Sequence, residues 1–189
     1  AIHFTDYASR YSKVYFMLRK NEALAKFKLF MRDVAGPHNM AVKRLRTDGD
    51  SVYLDQRFKD YLSEKHILHE KTSPYCHESN GVAERYWRTI QTMAHCMLET
   101  SGLDLQYWVL AFSHAVWLKN RLPHAALDFN TPYSALTGNQ PDLSRVRVFG
   151  CMAFPFIDAS LRKSLVVRAS ELIYIGHEEG SNSYLLWDK

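Results

Sequence analysis

The sequence has few cysteines, and their arrangement excludes two common kinds of site. Cys76, Cys96 and Cys151 are far apart and odd in number, and no Cys-x-x-Cys pair occurs. Neither a zinc knuckle nor a disulfide framework is indicated, so we expect a reducing compartment. The chain also lacks an apolar run near the ~20 residues that cross a bilayer, and it lacks a signal peptide. We therefore expect no membrane partner.

The composition is that of a folded globular protein. Of 189 residues, 47% are hydrophobic and 13% are aromatic. This is enough for one good core and a small second domain. The net charge of +4 is compatible with a nucleic-acid partner, although many other soluble domains are equally basic. Charge alone leaves that question open.

Hydrophobic periodicity divides the chain into three parts. The pattern predicts a hairpin, a helix capped by Asn21, and then alternating short strands and helices, over the ranges 2–7, 13–18, 21–34, 42–46, 58–62, 67–69, 83–102 and 105–122. Short β-like runs follow at 146–149, 153–157, 172–175 and 184–187. We predict an α/β domain over 1–122, a connector over 123–143 and an all-β module over 144–189.

Two acidic residues occupy positions suited to metal chemistry. Asp48 follows a predicted strand, and strand ends in α/β sheets face the crevice where ligands bind. Glu84 lies in the first turn of a predicted helix, on a polar stripe with Arg88, Gln91 and His95. Carboxylates from two different elements provide the hard oxygen ligands that Mg²⁺ prefers. The spacing alone does not favour this over two structural acids, one in a turn and one at a helix N-terminus.

Several motifs, taken in order, resemble those of copia-type retrotransposon integrases, which are members of the DDE family. Thirty-five residues, 49 to 83, separate the two acids, as in the D-x35-E spacing of that family. The similar segments cover essentially the whole chain and are Tyr7-Ala8-Ser9-Arg10-Tyr11, Val14-Tyr15-Phe16, Arg46-Thr47-Asp48, Ser73-Pro74-Tyr75, Asn80-Gly81-Val82-Ala83-Glu84-Arg85, Thr131-Pro132-Tyr133, Val146-Arg147-Val148-Phe149-Gly150-Cys151 and Tyr174-Ile175-Gly176.

The resemblance implies a fold and an activity. The fold would be an RNase H-like α/β core followed by an SH3-like module. Asp48 and Glu84 would be the second and third metal ligands of a site that holds Mg²⁺ or Mn²⁺ and transfers DNA strands. Lys71, Arg85 and Arg88 would contact phosphates, although they could equally be solvated surface cations. The implied partners are double-stranded DNA, both element ends and target, and further copies of the chain, in the nucleus.

The sequence departs from the family pattern in three places. Family members carry their first acid on the first, central strand, whereas this sequence begins at what resembles the second strand. A core without this strand would have unpaired backbone groups in the middle of its sheet or two exposed edges. We therefore expect that the strand lies on an upstream segment, that this piece folds differently, or that it is a decayed copy. Asp6 matches an aspartate of the second strand and not the missing ligand. Asp50 is better placed in a turn, and the adjacent Cys76 and His77 do not make a zinc site without further ligands.

Two hypotheses from different classes follow. The first is an integrase that performs 3′-end processing and strand transfer, with its first catalytic acid absent from this segment. The second is a catalytically inactive DNA-binding or assembly module of a degenerate or domesticated element. A third, an RNase H-type nuclease, shares the fold but does not explain the match at Asn80 to Arg85 or the β module.

Overall fold

The computed structural model describes most of the chain, namely residues 1–47, 53, 55–71, 81–156, 169–178, 181 and 183–188. Asp48, Asp50 and the segment 72–80, which includes Cys76 and His77, lie outside the described residues. No helix in the described ranges combines the length and apolar character that a membrane span requires.

Helices and strands alternate through the first two thirds of the chain, as the periodicity predicts. The strands are β1 (Ile2–Thr5), β2 (Ser12–Tyr15), β3 (Arg44–Thr47), β4 (Leu68–Lys71), β5 (Met152–Ala153), β6 (Leu172–His177) and β7 (Tyr184–Trp187). The helices are α1 (Ala23–Phe30), α2 (Gln56–Glu64), α3 (Gly81–Ser101), α4 (Trp108–Arg121) and α5 (Pro132–Thr137). A π-helical turn, Met31–Ala35, extends α1, and a 3-10 turn, Leu105–Tyr107, precedes α4.

The described strands form three separate sheets. β1 and β2 pair antiparallel, β3 and β4 pair parallel, and β5, β6 and β7 form an antiparallel sheet in that order. Within the described residues, no backbone ladder joins the β1–β2 hairpin to the β3–β4 pair.

The β1–β2 hairpin packs against a core cluster on each of its two faces. Ile2 and Phe4 pack in one cluster with α1 and α2, where Phe27 and Phe58 are each 1% exposed. Val14 packs in a second cluster with α3 and α4, around Ile90, Ala94, Ala111 and Ala115. Successive side chains of a strand point to opposite faces of the hairpin, so each four-residue strand contributes to both clusters. The hairpin therefore fixes where the two helical layers lie.

Two glycines of the family-like motifs bring the C-terminal segments close to the helices. A Cβ atom on Gly150, which has φ +82°, would lie 2.2 Å from Cβ of Ser101 at the end of α3. A Cβ atom on Gly176, which has φ +137°, would lie 3.0 Å from Nδ1 of His114 in α4. Any larger residue at either position would meet both a strained backbone and a clash.

The C-terminal sheet contacts α4 through a column of stacked rings that ends in the guanidinium group of Arg121. His177 of β6 lies between Tyr184 and Trp117, with ring centroids 5.2 Å and 4.6 Å away. Beyond Trp117, the Arg121 guanidinium lies 3.8 Å from the indole centroid and 4.6 Å from the Tyr133 ring of α5. Cations above aromatic faces are attracted by the ring quadrupole. The column therefore joins β6, β7, α4 and α5.

Three expectations about individual elements were wrong. The predicted strand at 146–149 is not one, because Val146 N–H donates to Leu143 O in a local turn and Phe149, 5% exposed, fills the second core cluster. The strand predicted at 153–157 is only Met152–Ala153, with a single bridge between Phe156 and Ala169.

The third wrong expectation is the helix start at Asn21. The helical segment begins instead with a 3-10 turn, Lys20–Glu22, in which the Glu22 carboxylate accepts a hydrogen bond from Arg19 N–H at 2.9 Å. The predicted connector also contains an unforeseen helix, α5, whose N-cap Thr131 accepts from Ser134 N–H at 3.0 Å.

Asn120 of α4 carries the contact that we expect to matter most for stability. Its Oδ1 accepts from Ser12 N–H at 2.9 Å, and its Nδ2 donates to Ser12 O at 2.7 Å. Asn120→Ala leaves both buried backbone groups of Ser12 unpaired, so the free energy of unfolding should fall by about 3 kcal/mol. Chemical denaturation followed by circular dichroism measures this. The same substitution at the exposed Asn21 is the control, and equal losses in both variants would contradict the prediction.

His114 makes the stability depend on pH. Burial, with a smaller effect of the nearby His177, lowers the pKa of His114 to about 4. The unfolded chain therefore takes up a proton near pH 6.5, whereas the folded chain resists it until about pH 4. The contribution of neutral His114 to the free energy of unfolding is therefore fully present above pH 6.5. It is lost as the pH falls from 6.5 towards 4.

When the pH is lowered from 7 to 5, the free energy of unfolding should fall by about 2 kcal/mol more in the unchanged chain than in the variant His114→Phe. This variant keeps a ring at the position but binds no proton there. Denaturant titrations at both pH values measure the difference. Other histidines with lowered pKa values are present in both proteins and cancel in the comparison. Parallel pH profiles for the two proteins would mean that His114 titrates normally in the folded chain.

Candidate active site

The parallel β3–β4 pair places one candidate residue beside the strand end that leads to Asp48. Thr47, the last residue of β3, is in register with Lys71, the last residue of β4. Asp48 follows directly in sequence but lies outside the described residues. Because the carboxyl ends of parallel strands meet at one sheet edge, Lys71 belongs to the same edge as the residue before Asp48. The Lys71 side chain is exposed.

A histidine that the sequence analysis did not identify supports this strand end. His69 Nε2 lies 2.8 Å from Thr47 Oγ1, and Thr47 is only 6% exposed. Burial lowers the pKa of His69, as do the positive charges of Lys71 and Lys59. The imidazole is therefore neutral near pH 7 and able to share a hydrogen bond with the hydroxyl. No local pattern indicates this pair, since the residues come from different strands.

The outer side of the same strands carries a charge network. Glu70 of β4 accepts from Arg44 at 3.3 Å and from Arg46 at 3.1 Å. These pairs are solvent-exposed, so each contributes at most about 1 kcal/mol. Two cations share one carboxylate, and the network keeps a net positive charge beside Thr47.

Helix α3 presents Glu84 to solvent as the sequence predicts. Its buried residues are Tyr86, Ile90, Ala94 and Leu98, which recur at helical spacing. The polar stripe Glu84, Arg88, Gln91 and His95 is exposed along its whole length. Glu84 lies in the first turn, where the helix dipole favours a negative charge.

The Glu84 carboxylate fits a hard cation as one ligand. Among the described residues it has no hydrogen-bond or ion-pair partner, so no contact within that part of the chain competes with an ion. The described part of the chain contains no group of three or more His, Cys, Asp or Glu side chains that could hold a metal. A complete ligand set would therefore need a residue such as Asp48 from beyond it.

Arg85 and Arg88 lie next to Glu84 and are both exposed. The Arg85 guanidinium turns back over the helix start, where a Cβ atom on Gly81 would lie 3.5 Å from its NH1 nitrogen. Arg88 lies one turn after Glu84 on the polar stripe. Neither forms an ion pair with a described acidic residue. Both are available to an external anion, and both are equally compatible with simple solvation.

The first turns of α3 rest on a stack of rings that was also not foreseen. The His3 ring of β1 is stacked on Tyr86 at 5.8 Å and on Trp87 at 5.2 Å, in each case with an interplanar angle of 17°. Burial lowers the pKa of His3. The signal in the sequence was weak, because 82 and 83 residues separate His3 from Tyr86 and Trp87.

Asp6 has a structural role in the β1–β2 turn. Its Oδ2 accepts hydrogen bonds from Ser9 N–H and from Ser9 Oγ–H, both at 2.7 Å. This is the expected behaviour of an aspartate that stabilises a turn.

The structure thus brings Lys71 beside Thr47 and places Glu84, Arg85 and Arg88 on one helix. The link between the two groups runs through residues 72–80, outside the described residues.

Comparison with curated proteins places the chain within longer polyproteins. No protein-family profile matches the chain. It is 35% identical over 187 residues to the retrovirus-related Pol polyprotein from transposon TNT 1-94 of Nicotiana tabacum, covering 99% of this chain and 14% of that protein. It is 30% identical over 182 residues to the Pol polyprotein from transposon RE2 of Arabidopsis thaliana, covering 96% of this chain and 12% of that protein. The chain thus spans about one seventh or less of these relatives.

Solved structures with the same fold are retroviral integrases. The HTLV-2 integrase catalytic core domain, determined with magnesium in a trimeric form, has a TM-score of 0.56 at 18% identity, over 71% of this chain and 82% of that one. A chain of the simian T-cell lymphotropic virus intasome, in complex with the PP2A regulatory subunit B56 gamma, has a TM-score of 0.59 at 17% identity, over 97% of this chain and 68% of that one. By sequence the chain is a segment related to the Pol polyproteins of copia-type transposons, and its fold is the RNase H-like α/β fold of retroviral integrase catalytic cores.

Proposed function

We propose that this chain acts in DNA integration, by Mg²⁺-dependent polynucleotidyl transfer that processes the 3′ ends of retrotransposon DNA and joins them to host DNA. The observation that best supports this is the exposed Glu84 carboxylate in the first turn of α3, which has no partner among the described residues. The integrase-like fold and the Pol relatives are consistent with it.

In this proposal Asp48 and Glu84 hold the metal. When bound, Mg²⁺ (or Mn²⁺) would activate an attacking hydroxyl and stabilise the leaving oxygen of an in-line displacement at phosphorus. Glu84 is suited to this role because it forms no ion pair with a described residue that a cation would have to displace. Lys71, Arg85 and Arg88 hold phosphate oxygens by charge, and His69 keeps Thr47 in place behind the strand end.

The partners follow from the same chemistry. The substrate is double-stranded DNA, both the element ends and the target, and the site of action is the nucleus. The net charge of +4 favours association with such a polyanion. The HTLV-2 core in its trimeric form and the simian virus intasome are assemblies, and we propose that this chain also acts as a homo-oligomer. Residues 144–189 would serve as an accessory module, as the sequence predicts.

The variant Glu84→Gln tests the metal role. It preserves size and hydrogen bonding but removes a charge, so DNA joining with Mg²⁺ or Mn²⁺ should fall about 100-fold or more, which corresponds to a loss of roughly 3 kcal/mol of charge stabilisation. The assay measures joining of labelled duplexes that carry element ends to plasmid DNA. Glu99→Gln, an exposed glutamate on the same helix, is the control and should join DNA at the unchanged rate.

Two results would contradict this proposal. One is a Glu84→Gln variant as active as the unchanged chain. The other is no joining by any form while duplex binding survives Glu84→Gln. That second result would favour the alternative hypothesis, a DNA-binding or assembly module without catalysis.

The phosphate contacts make a separate prediction. Alanine at Lys71, Arg85 or Arg88 should weaken duplex binding to the same extent for all DNA sequences. Each substitution should also make the slope of log K, the binding constant, against log salt concentration shallower by about 1. Fluorescence anisotropy between low and high salt measures both effects. Arg32→Ala is the matched control, because Arg32 is exposed and already paired with Asp33 at 2.6 Å. Equal slopes for all variants would identify the three residues as solvated cations.

A further inference from the structure

The His3 ring makes an unusual pair of contacts with helix α3. His3 pairs with Val14 across the hairpin, on the face opposite Ile2 and Phe4, and so points towards α3. Its ring is stacked on both Tyr86 and Trp87, with the same interplanar angle of 17°. One strand side chain thus touches two consecutive helical residues that follow Glu84 closely in sequence.

Contact with two consecutive residues restricts how the helix can rotate. Neighbouring residues in an α-helix point about 100° apart, since 3.6 residues make one turn. A single contact would let the helix roll about its axis, whereas two contacts at this angle fix the roll. Trp87 is also the i+3 neighbour of Glu84, so the two side chains lie on adjoining parts of one helix face.

The beginning of a helix needs such support more than its middle does. The first N–H groups have no partner within the helix, and the ends fray most readily. From Tyr86 onward, contacts with the core increase: Tyr86 is 8% exposed, Ile90 is fully buried, and Trp87 also packs on Phe112 of α4 at 5.5 Å. The His3 stack lies at the boundary between this packed part and the exposed first turn that carries Glu84.

A neutral imidazole is well suited to the position. Burial lowers the pKa of His3, so the ring is uncharged near pH 7 and stacks without the cost of a buried charge. Its polar edge tolerates partial exposure better than a phenyl ring does, but the stacking itself requires only a flat ring of similar size.

We propose that His3 is a positioning residue whose stacked ring fixes the first turns of α3 and, through them, the direction of the Glu84 carboxylate. The catalytic consequence rests on the proposed function, whereas the effect on the helix does not. A reacting site loses rate steeply when a ligand is displaced, on the order of 100-fold for a shift of about 1 Å.

Three variants separate stacking from other roles. His3→Ala removes the ring, and His3→Phe keeps a flat ring but no ring nitrogen. Leu62→Ala, which cuts into the other core cluster at a residue 2% exposed, is the control for general destabilisation. Hydrogen exchange of the amides of residues 85–88 is compared with that of residues 95–98 on the same helix, and DNA joining is measured as separate kcat and KM values.

We expect His3→Ala to raise exchange at 85–88 by about tenfold relative to 95–98, because the start of the helix opens locally. It should lower kcat by about 10- to 100-fold at an unchanged KM for DNA. His3→Phe should restore both quantities to near the values of the unchanged chain. Leu62→Ala should not raise exchange selectively at 85–88.

Two results would overturn the proposal: unchanged exchange at 85–88 in His3→Ala, or a loss in His3→Phe as large as in His3→Ala, which would assign the role to the ring nitrogens. If the unchanged chain joins no DNA, the proposed function fails. The exchange comparison then still decides whether His3 holds the helix start.

Discussion

The two-faced β1–β2 hairpin is the constraint on which the rest of the structure depends. Its alternating side chains feed two separate cores, one with α1 and α2 and the other with α3 and α4. A slip of one residue in register would exchange every inward side chain between these cores, placing Ile2 and Phe4 against α3 and His3 against Phe27. The hydrogen bonds of Asn120 to both backbone groups of Ser12 oppose such a slip, because they fix one position of β2 relative to α4.

The candidate site depends on this hairpin through the helix that lies on it. Helix α3 buries one face and leaves a polar stripe exposed, so the direction of Glu84 follows from how the buried face is seated. His3 seats its first turns through Trp87, and Phe112 of α4 packs on the same indole ring. A charged, unpaired side chain contributes little to its own placement, and the rings beneath it supply the rigidity that the carboxylate lacks.

Local patterns predicted much of this fold, and distant contacts account for what they missed. The 3.6-residue periodicity was enough to predict α3 and its exposed stripe, because that signal lies within one helix. The Thr47–His69 hydrogen bond and the His3 stack join residues that are far apart in sequence, so no local pattern carried them. The strand expected at 146–149 failed because burial of Phe149 overrode β propensity. By contrast, α5 was missed although its signals are local, namely Thr131 as N-cap, Pro132 in the first turn and Gly138 at the end.

The family-like motifs divide into two physical kinds. Gly150 and Gly176 are needed because the backbone approaches Ser101 and His114 closely at these positions. Packing of the C-terminal segment therefore explains both glycines, and they give no information about a reaction. Arg85 and Glu84, in contrast, touch no described acidic or basic partner, and packing gives no reason for their identity. An exposed carboxylate beside arginines that have no described acidic partner gains little free energy in the folded chain alone, since surface charges contribute at most about 1 kcal/mol. In the proposed function these charges contribute through what they bind, a cation together with an anionic polymer.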